Sequence, residues 1–232
     1  MGKKEKNNLT RPKGSALFTI ADPKSPTSEQ YKTLRTNIKF AQVDQPIKTL
    51  VVTSPGASEG KSTTASNLAI TFAQVGMNTL LIDADMRRPT CHMTFGLDNG
   101  VGLSNLLTVR SMSLNDVTQA SGVENLSVIT SGPKSPNPSE LLASVRMRKV
   151  IKLVSEFYDF VIFDMPPVVQ VTDAQLIASQ VDGVILSVRE GVTNKVMAQK
   201  AVSLLDQVQA NILGAVYTGV EDTQGYYAYS YS

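Results

Sequence analysis

The chain has 232 residues, 42% of them hydrophobic and 18% charged, a composition that supports one packed core. The formal net charge is +2, and five basic residues against one acidic fall in the first thirteen, MGKKEKNNLTRPK. The remainder is slightly acidic, which excludes a body built to grip nucleic acid.

Residues 1–27 are polar, carry Pro12, Pro23 and Pro26, and predict an extended basic arm suited to a solvated tail or an anionic lipid surface. This end lacks the apolar core of a signal peptide. MGKKEK also misses the myristoylation pattern, because Lys6 stands at its Ser/Thr position. In SEQYKTLRTNIKFA, Ser28 is placed to cap a helix from Glu29, with Leu34, Ile38 and Ala41 at helical spacing. KTLVVTS (48–54) predicts a short buried strand. A glycine-bearing loop follows, then the helix STTASNLAITFAQVG closed by Gly76, and a second strand, NTLLIDAD (78–85).

Residues 86–124 read as short helical pieces and turns. They hold the one cysteine, Cys91, and the one histidine, His92. A lone cysteine excludes an intrachain disulfide and suits a reducing cytoplasm. The pair supplies too few nitrogen and sulfur ligands for a zinc site. NLSVITS (125–131) predicts a strand. Asn137, Pro138 and Glu140 predict a capped start for one helix running through LLASVRMRKVIKLVSEF. YDFVIFDMPP, DGVILSVRE and ILGAVYTGV predict further strands, the last two separated by a helix around 193–208. No apolar run approaches 18 residues, so no membrane span is expected. Strands alternating with amphipathic helices predict an α/β fold: a mostly parallel central sheet with helices on both faces, like that of P-loop NTPases. Residues 28–222 form the expected domain, and 223–232 a tail crowded with Tyr226, Tyr227, Tyr229 and Tyr231.

Ligands on such sheets bind beyond the carboxyl ends of the strands, and three features fall there. SPGASEGKST (54–63) is a phosphate-binding loop between a strand and a helix. Gly56, Ala57, Ser58, Glu59, Gly60, Lys61, Ser62 and Thr63 are the expected nucleotide contacts. Backbone N–H groups cradle phosphate oxygens, Lys61 reaches the β- and γ-phosphates, and Ser62 ligates Mg²⁺. Pro55 stands where the strict pattern has glycine, leaving Gly56 to supply the turn. Asp83 and Asp85 at the end of LLIDAD offer a metal contact and a proton acceptor. Asp164 in VIFDMPP is a Walker B acid, the third metal candidate.

On SPGASEGKST, DADMRRP, NPSELL, DMPP and GYYAYSYS, the sequence resembles the bacterial tyrosine kinases of capsule and exopolysaccharide synthesis, from Glu29 to the end. The resemblance implies ATP and Mg²⁺ as cofactors, with Lys61, Asp83 and Asp85 as catalytic groups and Ser62, Asp83, Asp85 and Asp164 around the metal. One of Asp83 and Asp85 assists deprotonation of tyrosine and the other holds the metal; the sequence does not assign which. It also implies phosphorylation of Tyr226, Tyr227, Tyr229 and Tyr231. A ring-shaped oligomer is implied through Glu29, Lys32 and Arg35, the counterpart of E-x-x-R-x-x-R with Lys32 in place of the first arginine. The implied partners are a membrane adaptor that activates the kinase and recruits it to the inner face of the cell membrane, and a tyrosine phosphatase. The competing reading is a partitioning or division-site P-loop ATPase acting as a nucleotide-dependent dimer switch. Those ATPases carry an extra lysine early in the loop, and residues 54–60 contain none.

Overall fold

The computed structural model describes residues 14–41 and 46–220. The apolar runs form β1 (Thr49–Thr53), β2 (Thr79–Asp83), β4 (Leu126–Ile129), β5 (Phe160–Asp164), β6 (Gly183–Arg189) and β7 (Ile212–Thr218), joined by a three-residue β3 (Thr118–Ala120). They make one seven-stranded sheet in the order β3-β4-β2-β5-β1-β6-β7. Every pair is parallel except β3 with β4.

Alternate residues of each strand enter cores on opposite faces, as the two-residue repeat requires. Leu50, Val52, Leu81, Phe160 and Ile162 meet α3 (Lys61–Ala73) and α2 (Pro26–Phe40) on one face. Phe72 of α3 stacks on Phe160 with ring centroids 3.7 Å apart and planes 15° from parallel. Val51, Leu80, Ile82, Val161 and Phe163 enter the other core. That face is covered by α7 (Pro138–Ala143), α8 (Val145–Phe157), α9 (Asp173–Ala178) and α10 (Lys195–Asp206). Short helices α4 (Cys91–Phe95), α5 (Leu103–Thr108) and α6 (Leu114–Val117) fill the mixed stretch after β2. No helix among the described residues is long and apolar enough to cross a membrane.

Three local expectations change. Helix α2 starts at Pro26, not Glu29, and its cap is Ser25, whose hydroxyl accepts the Ser28 N–H at 3.2 Å. Ser28 is instead buried in the first turn and donates to the Asp22 carbonyl at 2.6 Å, drawing α1 (Phe18–Ala21) against α2. Residues 14–25, expected within an extended arm, pack on the domain: Gly14 and Ser15 meet Thr94 of α4, and α1 lies against α3. Asn67, buried in the middle of α3, donates to the Ala16 carbonyl at 2.8 Å and accepts from the Thr19 N–H and hydroxyl at 3.1 and 3.0 Å. The long helix after Asn137 is broken at Ser144, which turns extended and caps α8 through the Met147 N–H at 3.1 Å. Asn137 itself makes no side-chain bond to the amides of α7.

Candidate active site

Sheet order explains the site. β5 lies between β1 and β2, so the loop after β1 opens beside the ends of both neighbours. Parallel register places Asp83 of β2 directly opposite Asp164 of β5. The loop then turns its chain into α3, whose first residue is Lys61.

Two residues of the loop, Ser58 (φ 61°) and Gly60 (φ 85°), are left-handed; Gly56 is not. The turn expected at Gly56 is therefore made later. Gly60 suits its place twice over, because it has the positive φ that glycine alone adopts freely and a Cβ there meets Thr218 Oγ1 at 3.1 Å. Gly56 serves a close approach instead. Its N–H donates to the Glu59 carboxylate at 2.6 Å, and a Cβ would meet that carboxylate at 3.3 Å.

Glu59, expected as a backbone contact, has its side chain turned inward and is buried. Its carboxylate also takes the Thr193 hydroxyl, and its carbonyl takes the hydroxyls of Ser187 and Thr218. Arg189 donates to the Ser58 carbonyl at 2.9 Å. The phosphate loop is thus braced by the ends of β6 and β7. Ser187, Arg189, Thr193 and Thr218 lie more than 120 residues away in sequence, and no spacing rule points to them.

Lys61 Nζ lies 2.9 Å from Asp85 Oδ2, 3.2 Å from Asp164 Oδ1 and 3.1 Å from Ser62 Oγ. Burial penalises its ammonium, but Asp164 and Asp85 outweigh that and hold its pKa above the ordinary lysine value. The carboxylates are arranged unequally. Asp85 is outside β2; its Oδ1 accepts the N–H groups of Arg87 at 3.3 Å and Arg88 at 2.9 Å. Asp83 is fully buried, and its Oδ2 accepts the N–H groups of Thr90 and Cys91, each at 2.9 Å. Burial first, and then repulsion from Asp164, push the Asp83 carboxyl up to about 7 against the pull of Cys91 N–H and Lys61. Burial likewise raises Asp164, opposed by Lys61 and Ser62. Asp83 Oδ1 and Asp164 Oδ2 have no hydrogen-bond partner.

A cleft of about 400 Å³ runs over the loop, bounded by Lys61, Asp85, Arg87, Arg88, Pro166 and Pro167. A larger depression of about 690 Å³ along α10 shares none of these residues, so the chemistry belongs to the smaller cleft. Arg87 is fixed by a forked pair: its Nε and Nη2 lie 2.9 and 3.0 Å from the fully buried Asp173 carboxylate. Ser139 bonds both partners, at 2.9 Å to Arg87 and 2.7 Å to Asp173. That network gives the MRRP and NPSELL segments a joint structural purpose, through an aspartate that sequence reading passed over.

Of the interface candidates on α2, Glu29 and Lys32 are on its solvent side and Arg35 reaches α3. Glu29 and Lys32 pair at 2.7 Å, and Arg35 donates to the Thr71 carbonyl at 2.8 Å. Tyr226, Tyr227, Tyr229 and Tyr231 lie outside the described residues.

A phosphate loop on a parallel sheet, acids at the ends of two adjacent strands and a polar cleft define a P-loop nucleotide-binding protein. A family model described as an AAA domain matches residues 48–212. Tyrosine-protein kinase YwqD of Bacillus subtilis is 47% identical, over 88% of this chain and 85% of its own. Putative tyrosine-protein kinase CapB of Staphylococcus aureus is 40% identical, over 93% of this chain and 95% of its own. The kinase domain of Escherichia coli tyrosine kinase ETK superposes with a TM-score of 0.86 at 34% identity, over 99% of this chain and 89% of that one. The chain belongs to the bacterial tyrosine kinases.

Proposed function

We propose that this kinase transfers the γ-phosphoryl group of Mg-ATP to tyrosine, with Tyr226, Tyr227, Tyr229 and Tyr231 of its own tail among the acceptors. It thereby regulates capsular or exopolysaccharide synthesis together with a membrane adaptor. The observation that carries this reading is the buried Lys61 ammonium shared between Asp85 and Asp164 at the foot of the cleft. In the nucleotide complex Lys61 turns from these acids to the phosphates, where positioning and charge neutralisation dominate phosphoryl transfer.

The residues present fit a magnesium ion. Three carboxylates face a single lysine, and Asp164 Oδ2 is a buried acceptor without a donor. Ser62, Asp164 and Asp85 would hold Mg²⁺, which neutralises charge on the phosphates. The phenol oxygen then bonds to the γ-phosphorus, the bond from that phosphorus to the β–γ bridging oxygen breaks, and ADP leaves. Asp83, raised by burial and with Oδ1 unengaged, is the proposed acceptor of the phenol proton from its place beneath the cleft. Asp85 lines the cleft, and its Oδ2 is freed for the metal when Lys61 turns to the phosphates, while its Oδ1 stays on the Arg87 and Arg88 N–H groups.

Assembly through Glu29, Lys32 and Arg35 of α2 would present one subunit's tail to the next. The adaptor would bring the cytoplasmic kinase to the inner face of the membrane, and a tyrosine phosphatase would reset it. The test incubates pure protein with ATP, Mg²⁺ and the adaptor's cytoplasmic tail and maps phosphotyrosine. The expected outcome is phosphate on the tail tyrosines, with at least a hundredfold loss in Lys61→Met, in keeping with the two to four decades that one electrostatic group contributes. Undiminished phosphorylation by Lys61→Met overturns the site.

A further inference from the structure

Cys91 opens α4 and is fully buried. His92 is its neighbour in sequence, but the structure gives Cys91 different company. One donor atom from each of Asp83, Cys91 and Asp164 lies within 4.8 Å of the others. Asp83 Oδ1 and Asp164 Oδ2 are buried without a hydrogen bond, and the Cys91 thiol is the side-chain group beside the Asp83 carboxylate. An unpaired buried carboxylate oxygen is costly, and a cation relieves that cost.

Magnesium accounts for the oxygens and not for the sulfur, because it takes oxygen ligands and retains water. A thiol between two carboxylates is a different donor set. It offers three protein ligands and a fourth position for water, at bond lengths of about 2.3 Å to sulfur and about 2.0–2.2 Å to oxygen for zinc. Charge is consistent as well. Thiolate and two carboxylates are balanced by a dication together with the Lys61 ammonium beside Asp164.

We propose that Asp83, Cys91 and Asp164 form an inhibitory site for a thiophilic divalent cation such as Zn²⁺, overlapping the magnesium position and distinguished from it by the sulfur ligand. Binding releases the thiol proton to solvent as the metal–sulfur bond forms. The bound ion withdraws Asp83 and Asp164 from phosphoryl transfer. Only this last consequence rests on the kinase reading; the binding itself does not.

The experiment titrates Cd²⁺, then Zn²⁺, into nucleotide-free protein and follows the ultraviolet thiolate-to-cadmium charge-transfer band and the melting temperature. The site requires one equivalent of Cd²⁺ to generate the band, Zn²⁺ to remove it, and Zn²⁺ to raise the melting temperature as a ligand of the folded state does. Loss of an outer-shell partner costs roughly 10–100-fold in metal affinity. Cys91→Ser, which loses a ligand, is expected to weaken Zn²⁺ by at least tenfold in the thermal readout. Asp83→Asn and Asp164→Asn each weaken it too, while His92→Gln leaves it unchanged. Equal Zn²⁺ stabilisation of the parent and Cys91→Ser overturns the proposal. So does a cadmium band that survives both aspartate substitutions, or one that His92→Gln abolishes. Kinase assays with Mg-ATP then test the consequence, the expected result being at least tenfold more Zn²⁺ for half-inhibition of Cys91→Ser.

Discussion

At the scale of single residues, the site is a problem of buried charge. Three carboxylates and one ammonium share the space under the phosphate loop, and Asp83 is fully buried without an ion pair to Lys61. Its carboxyl titrates near 7 in the fold against a reference value of 3.8. Between those values the folded protein binds more protons than the unfolded chain, so stability falls as pH rises through that window. Asp83→Asn removes the penalty and keeps an oxygen for the Thr90 and Cys91 N–H groups. We expect this variant to be more stable than the parent by about 2–4 kcal/mol above pH 7. The gain shrinks as pH is lowered and is absent below about pH 4. Thermal melts across that range check it. A pH-independent difference would show that Asp83 does not carry the charge penalty.

At the scale of elements, the wall of the cleft is held by contacts between segments distant in sequence. Asp173 opens α9, Ser139 lies in the first turn of α7, and Arg87 follows β2. Arg87→Ala leaves a fully buried carboxylate with Ser139 as its remaining side-chain partner, and one-sided removal of a buried pair costs about 3 kcal/mol. The exposed flank of Arg87 makes that an upper figure. Arg87→Lys restores charge without the fork and is expected to recover less than half of the loss in denaturant melts. Full recovery would mean that charge alone holds the wall.

This network also shows where the sequence was readable. Strands β1, β2, β5 and β6 announce themselves as short apolar runs, because a parallel strand covered on both faces has no polar side to show. The P-loop, Asp83, Asp85 and Asp164 follow from their places at those strand ends. β3 was not legible, since three half-exposed residues have no pattern and pair only because β4 is beside them. The break at Ser144 was hidden by apolar residues continuing on both sides. Glu59 reads as a loop residue, and only the fold brings Thr193 to its carboxylate. Residues 14–25 read with the polar extended arm although ALFTIA (16–21) is apolar, and the Asn67 side chain bonds Ala16 and Thr19 to tie them to α3.

At the scale of the whole molecule, both ends of the described chain lie beside the cleft. Ser15 lines it, and Thr218 at the end of β7 touches the phosphate loop. Tyr226 follows Thr218 by eight residues, a tether of at most about 29 Å when fully extended. That length gives a phenol access to a P-loop site, its own or a neighbour's, and assembly decides between them. Arg35→Glu tests the assembly, because it reverses charge on the α2 face while removing the bond to Thr71. Light scattering is expected to show a shift toward monomer, and phosphorylation between subunits to fall by at least tenfold. Unchanged oligomers would remove α2 from the interface.

The central claim is that the tail tyrosines are substrates of this site, passed between chains. Each phosphate adds roughly −1.5 to −2 charge, so on this account a modified tail is expected to be repelled by Asp83, Asp85 and Asp164 and the assembly to loosen. The direct measurement mixes a Lys61→Met chain carrying its tail with an active chain lacking residues 226–232, then maps phosphotyrosine by mass spectrometry. The account predicts phosphate on Tyr226, Tyr227, Tyr229 or Tyr231 of the Lys61→Met chain. Phosphate only elsewhere, or on neither chain, where the full-length kinase is active would contradict it.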